Sequence, residues 1–211
     1  MSRTIDDMSR IANKTEHRPY RSELREQQAK ETRERILDAT IRVMAQGIAG
    51  FSIPAVAREA GVSVPTVYRH FRTKAILLGE IYPHLARRAG LTNLPVPDSV
   101  QGFREMVRTM FERLHSLGDP VRAAMTSEAA EEARRLVMPE RIAVSRRLAA
   151  TVAADASDED KERIARLMLV LASSSSMRVW LDHLGSSVDQ AADDIGWMLE
   201  AAIASAGGRK G

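Results

Sequence analysis

The chain has 211 residues, enough for one large or two small domains with a buried core. It contains no cysteine, which excludes disulfides, thiolate metal sites and cysteine nucleophiles. Hydrophobic residues make up 44% of the chain and aromatic residues only 4%, and the abundance of Ala and Leu favours helix over sheet. Because no apolar stretch is long enough to span a membrane and no signal core follows Met1, we expect a cytoplasmic chain with no membrane partner.

Positive charge is concentrated towards the N-terminus. The net charge is +3, but residues 1–75 hold 14 Lys and Arg against 9 Asp and Glu, whereas the remainder holds 17 against 19. This distribution suits phosphate binding, although chance unevenness among solvated charges would give the same counts. Residues 1–30 are polar without apolar periodicity and predict a flexible N-terminal arm, either plainly disordered or touching phosphates or a minor groove.

The first predicted helix runs from about Glu31 to Gln46. Its apolar residues recur at helical spacing, at Leu37, Ile41, Met44 and Ile48. Two cations outside this stripe are expected to be able to reach the backbone of DNA, namely Arg33 and Arg35.

Residues 52–74 predict a helix, a sharp turn and a second short helix. Ser52 and Ser63 are placed to cap the two helices, and each is followed by a proline in the first turn. Gly61 stands where the chain must reverse, because glycine enters positive φ freely.

In the second short helix, Val67 and Phe71 are four residues apart and point to the same inner side. The outer side then carries polar, aromatic and cationic groups: Thr66, Tyr68, Arg69 and His70. A helix with an apolar inner face and this outer face is suited to enter the major groove of DNA.

These residues resemble the TetR (tetracycline-repressor-type) family of bacterial regulators. The resemblance is carried by the run VAREAGVS over residues 56–63, then by Thr66-Val67-Tyr68, Phe71 and Lys74, and residues 35–40 are similar to the family's first helix. It implies an all-α homodimer: an N-terminal three-helix helix-turn-helix domain followed by a helical ligand-binding and dimerisation domain. Val64 and Pro65 depart from the family's usual residues, so the operator sequence cannot be transferred from relatives.

The resemblance places DNA contacts on the two short helices and the start of the next one. The candidate residues are Ser52, Ser63, Val64, Pro65, Thr66, Tyr68, Arg69, His70 and Lys74. Arg69 is suited to the O6 and N7 atoms of guanine, and Val64 and Thr66 are suited to a thymine methyl group. The two serines either touch phosphates or serve only as helix caps, and His70 either reads DNA or flanks the motif.

A fourth helix is predicted to begin at Lys74 after a Thr73 cap, and its N-terminus with the Lys74 ammonium group forms a plausible phosphate site. Pro83 should kink this helix, either for local packing or as a hinge, because the resemblance implies that it connects the two domains. The predicted organisation is an arm (1–30), a DNA-binding domain with its connecting helix (31–90), a linker (91–98), a C-terminal domain (99–206) and a tail (207–211).

The C-terminal domain should be helical throughout. Pro139 is expected to split one helix in two, and the last two helices are predicted over 159–183 and 188–205. This pair resembles the family's intersubunit four-helix bundle, with the serines of 173–176 allowing a close helix crossing. Trp180 and Trp197 are candidates for the dimer interface.

Soft apolar side chains in this domain are either core residues or the lining of an effector pocket for a small apolar or aromatic molecule. They are Phe103, Met106, Met110, Phe111, Met125 and Met168. The histidines are scattered and no nucleophile–base pattern exists, so we expect no metal, no cofactor and no enzymatic activity.

These observations together predict a ligand-responsive transcriptional regulator. The expected partners are a palindromic double-stranded DNA operator, a second copy of the chain and a small-molecule effector, and repression is the expected mode. The alternative is a helical DNA-binding protein without a small-molecule effector, controlled by a protein partner.

Overall fold

The computed structural model describes residues 18–46 and 51–207, and all regular structure within that part of the chain is helical, which confirms the predicted all-α class. The α-helices are α1 (Arg18–Ala45), α2 (Ile53–Ala60), α3 (Val64–His70), α4 (Lys74–Gly79), α5 (Ile81–Arg88), α6 (Val100–His115), α7 (Asp119–Ala124), α8 (Glu128–Val152), α9 (Asp158–Leu171), α10 (Ser174–Arg178) and α11 (Val188–Gly207). A π-helical turn, Val179–His183, directly follows α10.

One chemical device starts most of these helices. A serine or threonine hydroxyl accepts a hydrogen bond from the backbone N–H three residues further on, which satisfies a group that the helix itself leaves unpaired. The residues that do this are Ser52, Ser63, Thr73, Ser99, Ser127, Ser157, Ser173 and Ser187. The predicted caps at Ser52, Ser63 and Thr73 are therefore confirmed.

The helices pack around two hydrophobic cores. The N-terminal core joins α1 to α5 with α7 and the start of α8, where Ala130 and Ala133 are fully buried. The C-terminal core joins α6, α9, α10 and α11 with the end of α8, where Leu148 and Ala149 are buried. Helix α8 thus belongs to both cores, and the packing does not divide where the predicted linker divides the chain.

The prediction that the first helix begins near Glu31 is wrong, because α1 already begins at Arg18. The sequence of its first half has few apolar residues, so it shows no sustained apolar period. Such a helix is supported by residues of good helix propensity and by side-chain pairs one turn apart, such as Gln27 Nε2 donating to Glu31 Oε1 at 2.9 Å. Of the predicted arm, residues 1–17 lie outside the described residues, as do residues 47–50, which include the predicted stripe residue Ile48, and residues 208–211 of the predicted tail.

The kink expected at Pro83 lies one turn earlier. Helix α4 ends at Gly79, Glu80 forms a turn with its backbone still in the α region, and α5 begins at Ile81, so that Pro83 falls within the first turn of α5. A proline ring collides with the carbonyl group four residues before it, and here that carbonyl belongs to Gly79. The break therefore precedes the proline that causes it.

Two further boundaries differ from prediction. Pro139 does not split α8, which continues through it, because the two ends of α8 are held in separate cores while Pro139 itself faces solvent. The helix predicted over 159–183 is instead broken after Leu171, with a bend of 50° between α9 and the following segment. The Ser173 hydroxyl accepts from the backbone N–H of Ser176 and so starts a new helix instead of continuing the old one.

Among the described residues, no single helix has the length and apolarity needed to cross a membrane. By length and composition alone, α9 with the bent segment Ser174–His183 passes the same test as a pair. The same part of the chain holds no group of three or more His, Cys, Asp or Glu side chains arranged to bind a metal ion.

Replacement of Gly61 by Ala should lower the free energy of unfolding by about 1–2 kcal/mol, because φ is +66° there and an L side chain is strained in that region. Gly79→Ala is the matched control: it meets no atom within 4 Å, has no positive φ, and should stabilise the fold by about 0.4–1 kcal/mol. Urea unfolding of both variants measures this. Equal stability of Gly61→Ala and the parent chain would contradict the argument.

Candidate nucleic-acid interface and ligand cavity

Helix α3 is held against α1 and α2 by its inner face. Val67 and Phe71 are almost completely buried, as their spacing predicted. The Arg33 guanidinium lies over the Phe71 ring, 4.7 Å from its centroid, and pairs with Glu80 at 3.1 Å. Arg33 therefore holds α1 against Phe71 and Glu80, and a phosphate that approached it would have to compete with Glu80.

The turn between α2 and α3 is set by backbone geometry. Gly61 adopts a left-handed conformation, and its N–H donates to the carbonyl groups of Ala57 and Arg58. Arg42 Nε donates to Glu59 Oε1 at 2.6 Å, which ties α2 to α1. These contacts fix the direction in which α3 leaves the turn.

The outer face of α3 presents the groups that the sequence indicated. Pro65, Tyr68 and Arg69 are exposed, with Tyr68 at 45%. Thr66 and His70 are half-buried beside them. Val64 is also half-buried, but it packs against the N-terminal core and so turns partly away from an external ligand.

The two capping serines are exposed while they cap. Ser52 Oγ accepts from the Ala55 N–H at 3.3 Å, and Ser63 Oγ accepts from the Thr66 N–H at 3.2 Å. The Ser63 and Thr66 hydroxyl oxygens also lie 2.8 Å apart and share a hydrogen bond. Their positions are compatible with phosphate contact in addition to capping.

Lys74 has a partner inside the protein. Its ammonium group lies 2.8 Å from Glu132 of α8 and 5.2 Å from the centre of the Phe51 ring. Any phosphate that approaches Lys74 must compete with Glu132. Arg72 is exposed between α3 and α4. It was not among the predicted DNA-binding residues, although its position directly after the motif could have indicated it.

The half-buried imidazole of His70 has a pKa below its usual value. Burial is the main cause, and the positive charges of Arg69 and Arg33 act in the same direction. The ring is therefore mainly neutral near pH 7, where it can donate or accept a hydrogen bond without adding charge to the surface.

A cavity of about 530 Å³ lies beside α5, where α6, α7, α8 and α10 complete its wall. Two of the predicted effector residues, Met110 and Met125, line it. Phe103, Phe111 and Met168 are instead buried in the C-terminal core, and Met106 packs against that core.

The polar groups on the cavity wall were missed by sequence reasoning. They include Tyr82 of α5, Arg141 of α8 and Ser174 of α10. These residues come from distant parts of the chain, and no local pattern in the sequence indicates that they meet.

Two capped helices joined at a left-handed glycine, with the second presenting Tyr68 and Arg69 to solvent, form a helix-turn-helix domain of the nucleic-acid-binding class. Residues 36–81 match the family model described as bacterial regulatory proteins, tetR family. The chain is 33% identical over 90 residues to the HTH-type transcriptional regulator TtgW of Pseudomonas putida, covering 42% of this chain and 67% of that one.

A second relative is the HTH-type transcriptional regulator AcrR of Shigella flexneri, 31% identical over 113 residues, or 53% of this chain. The match spans about half of that regulator's length, 48%. A solved structure described as a TetR family protein from Vibrio parahaemolyticus is 25% identical with a TM-score of 0.43, covering 77% of this chain and 97% of that one. The chain belongs to the tetR family, a family of transcriptional regulators and not of enzymes.

The pKa of His70 should rise towards its usual value when Arg69 is replaced by Ala, because one of the nearby positive charges is then removed. Since the folded pKa of His70 lies below that of the unfolded chain, the stability linked to His70 is fully present above pH 6.5 and is lost as the pH falls from there through the folded pKa. An NMR titration of the His70 imidazole protons measures this pKa in the parent chain and in Arg69→Ala. An unchanged midpoint in Arg69→Ala would show that the arginine does not act on this ring.

Proposed function

We propose that this protein is a ligand-responsive transcriptional repressor that binds a palindromic DNA operator as a homodimer and is released by a small molecule. The exposed face of α3, held outward by its buried Val67 and Phe71 anchors, is the observation that carries the proposal. A cavity at the other end of the connecting helices supports control by a small molecule over control by a protein partner.

In the proposed complex α3 lies in the major groove. Arg69 is suited to form two parallel hydrogen bonds to guanine, and Tyr68 to donate its hydroxyl to a phosphate while its ring covers the sugar. Thr66 is suited to a thymine methyl group, and the exposed Ser52 and Arg72 to backbone phosphates. One helix-turn-helix domain (a DNA-binding head) buries too little surface for selective binding, so the two heads of a dimer on an inverted repeat are required.

The exposed apolar residues of α9 and α11 support a dimer. Leu167 and Val170 are three residues apart on α9 and are 42% and 63% exposed. On α11, which packs against α9, Trp197 is 67% exposed and is followed at helical spacing by exposed Ala201. Apolar groups of this size on neighbouring helices are typical of a subunit interface, and small residues beside an aromatic one allow close helix approach.

The proposed route of control runs through α5 and α4. Tyr82 and Pro83 of α5 lie on the cavity wall. The turn at Glu80 separates α5 from α4, and α4 is the helix that follows α3. The Lys74–Glu132 ion pair ties the start of α4 to α8, another wall of the same cavity. A ligand that binds better when the two heads are wrongly spaced must weaken DNA binding by the same factor.

An operator selected from random duplexes should contain an inverted repeat, and its affinity should fall steeply with salt, because several phosphates are neutralised on binding. Arg69→Ala should reduce the preference for one base pair in each half-site, at a cost of about 1–3 kcal/mol. Fluorescence anisotropy over a range of salt concentrations measures both.

Arg146→Ala is the matched control, because Arg146 is an exposed arginine of α8 whose partner is Glu162, away from α3. It should leave both affinity and base preference unchanged. Equal weakening of all sequences by Arg69→Ala would reduce Arg69 to a phosphate contact, and affinity independent of salt would overturn the proposal.

Trp197→Glu should convert the dimer into a monomer and abolish tight operator binding, because a buried unpaired charge at the centre of an interface is strongly unfavourable. Light scattering after size-exclusion chromatography measures the molar mass. Val96→Glu is the control, since Val96 is also an exposed apolar residue (79%) but lies between α5 and α6. A dimer that persists in Trp197→Glu would place the interface elsewhere.

A further inference from the structure

Two buried hydroxyl groups on the cavity wall have no hydrogen-bond partner. They are Tyr82 Oη and Ser174 Oγ. Arg104 Nε is the other buried side-chain nitrogen or oxygen atom without a hydrogen-bond partner in the described residues. Buried hydroxyl groups in proteins are nearly always paired, so an unpaired group at a cavity needs a reason. Both residues line the cavity, and because the two oxygens are themselves covered, a molecule bound there can accept from them only after a small movement of each side chain.

Arg141 adds a positive charge to the same wall. It forms no ion pair with any carboxylate in residues 18–46 and 51–207, and burial lowers the pKa of its guanidinium group, with the charge of Arg134 acting in the same direction. Tyr82 is near enough to Arg141 to influence it electrostatically. A partly buried guanidinium without a carboxylate is costly to keep, which again indicates a missing partner.

Other residues on the cavity wall add to its positive charge. Arg178 and Arg122 also line the cavity, although Arg122 is paired with Asp119. The carboxylate on the wall, Glu140, is largely exposed and pairs with Arg147 at 3.5 Å. The remaining surface is mainly aliphatic side chains and methionine, including Leu85, Leu114, Met110, Met125 and Met177.

These features select one chemical class of ligand. A neutral apolar molecule would remove water from Arg141 without replacing its hydrogen bonds, and a cationic molecule would be repelled by Arg141 and Arg178. An anionic group has only acceptor oxygens, which match a guanidinium and two hydroxyl donors, while an apolar body matches the other walls.

We propose that the cavity binds an amphipathic anion, a largely apolar molecule with one carboxylate, whose charge is held by Arg141 with Tyr82 Oη and Ser174 Oγ as further donors. The inference rests on the proposed function, because it names the class of the effector at that same site. It narrows the sequence-based expectation of a merely apolar or aromatic effector.

The test compares three probes of equal chain length that differ only in the head group: decanoate, 1-decanol and decylamine, each below its micelle-forming concentration. Isothermal titration of the full-length protein should give decanoate an affinity about tenfold or more above that of decanol, as expected for hydrogen bonds to a charged group. Arg141→Gln should remove this preference while decanol binds as before.

Arg146→Gln is the control variant, since it removes the same charge from the same helix outside the cavity, and it should keep the preference for decanoate. Tyr82→Phe is a second test that leaves the packing in place. It deletes an unpaired oxygen, so it should weaken decanoate binding several-fold without lowering the melting temperature of the free protein. Equal binding of decanol or decylamine to the parent protein, no binding of decanoate, or a preference that survives Arg141→Gln would each overturn the inference.

Operator release separates this inference from the proposed function. If decanoate binds through Arg141 but leaves operator affinity unchanged, the anion site stands and ligand control by it fails. If an uncharged or cationic molecule releases the operator while decanoate does not bind the cavity, ligand control stands and the anion site fails.

Discussion

The double anchorage of α8 is the constraint on which the arrangement of this molecule depends. Its first turns are buried with the helix-turn-helix elements through Ala130 and Ala133, and its last turns are buried with the C-terminal helices through Leu148 and Ala149. The middle of the helix, carrying Arg141, is left as the wall of a cavity. Because packed cores deform in discrete steps and not continuously, a change at this wall has to move elements as rigid bodies.

The arginines of this chain serve three different purposes that net charge does not distinguish. Arg33 and Arg42 are bound by Glu80 and Glu59 and hold the first helix against its neighbours. Arg69 is exposed beside the polar face of α3, where a phosphate or a base can reach it. Arg141 lies half-buried at the cavity and lacks an acidic partner among the described residues. The role of each arginine therefore depends on whether it has an acidic partner and how deeply it is buried. A paired surface charge contributes little to stability, whereas an unpaired buried charge is costly unless a ligand or another group pairs with it.

Family membership and structure contribute different parts of the argument. The matches to TtgW and AcrR establish the family but cover 42% and 53% of this chain. The composition of the cavity wall comes from the structure, which brings aliphatic residues together with Tyr82, Ser174 and Arg141. Fold alone does not set a ligand, whereas the chemistry of particular side chains around a cavity restricts its class.

Local signals were enough to predict the helix-turn-helix: hydroxyl caps at Ser52 and Ser63, a glycine at the reversal, and the spacing of Val67 and Phe71, each of which acts within one or two turns of helix. They did not reveal the polar half of α1, which has few apolar residues, nor the breaks near Gly79 and Leu171. The cavity and the Lys74–Glu132 pair were decided only by tertiary structure. Both depend on residues far apart in the chain, and their meeting follows from how whole helices pack and not from any short-range preference of the backbone.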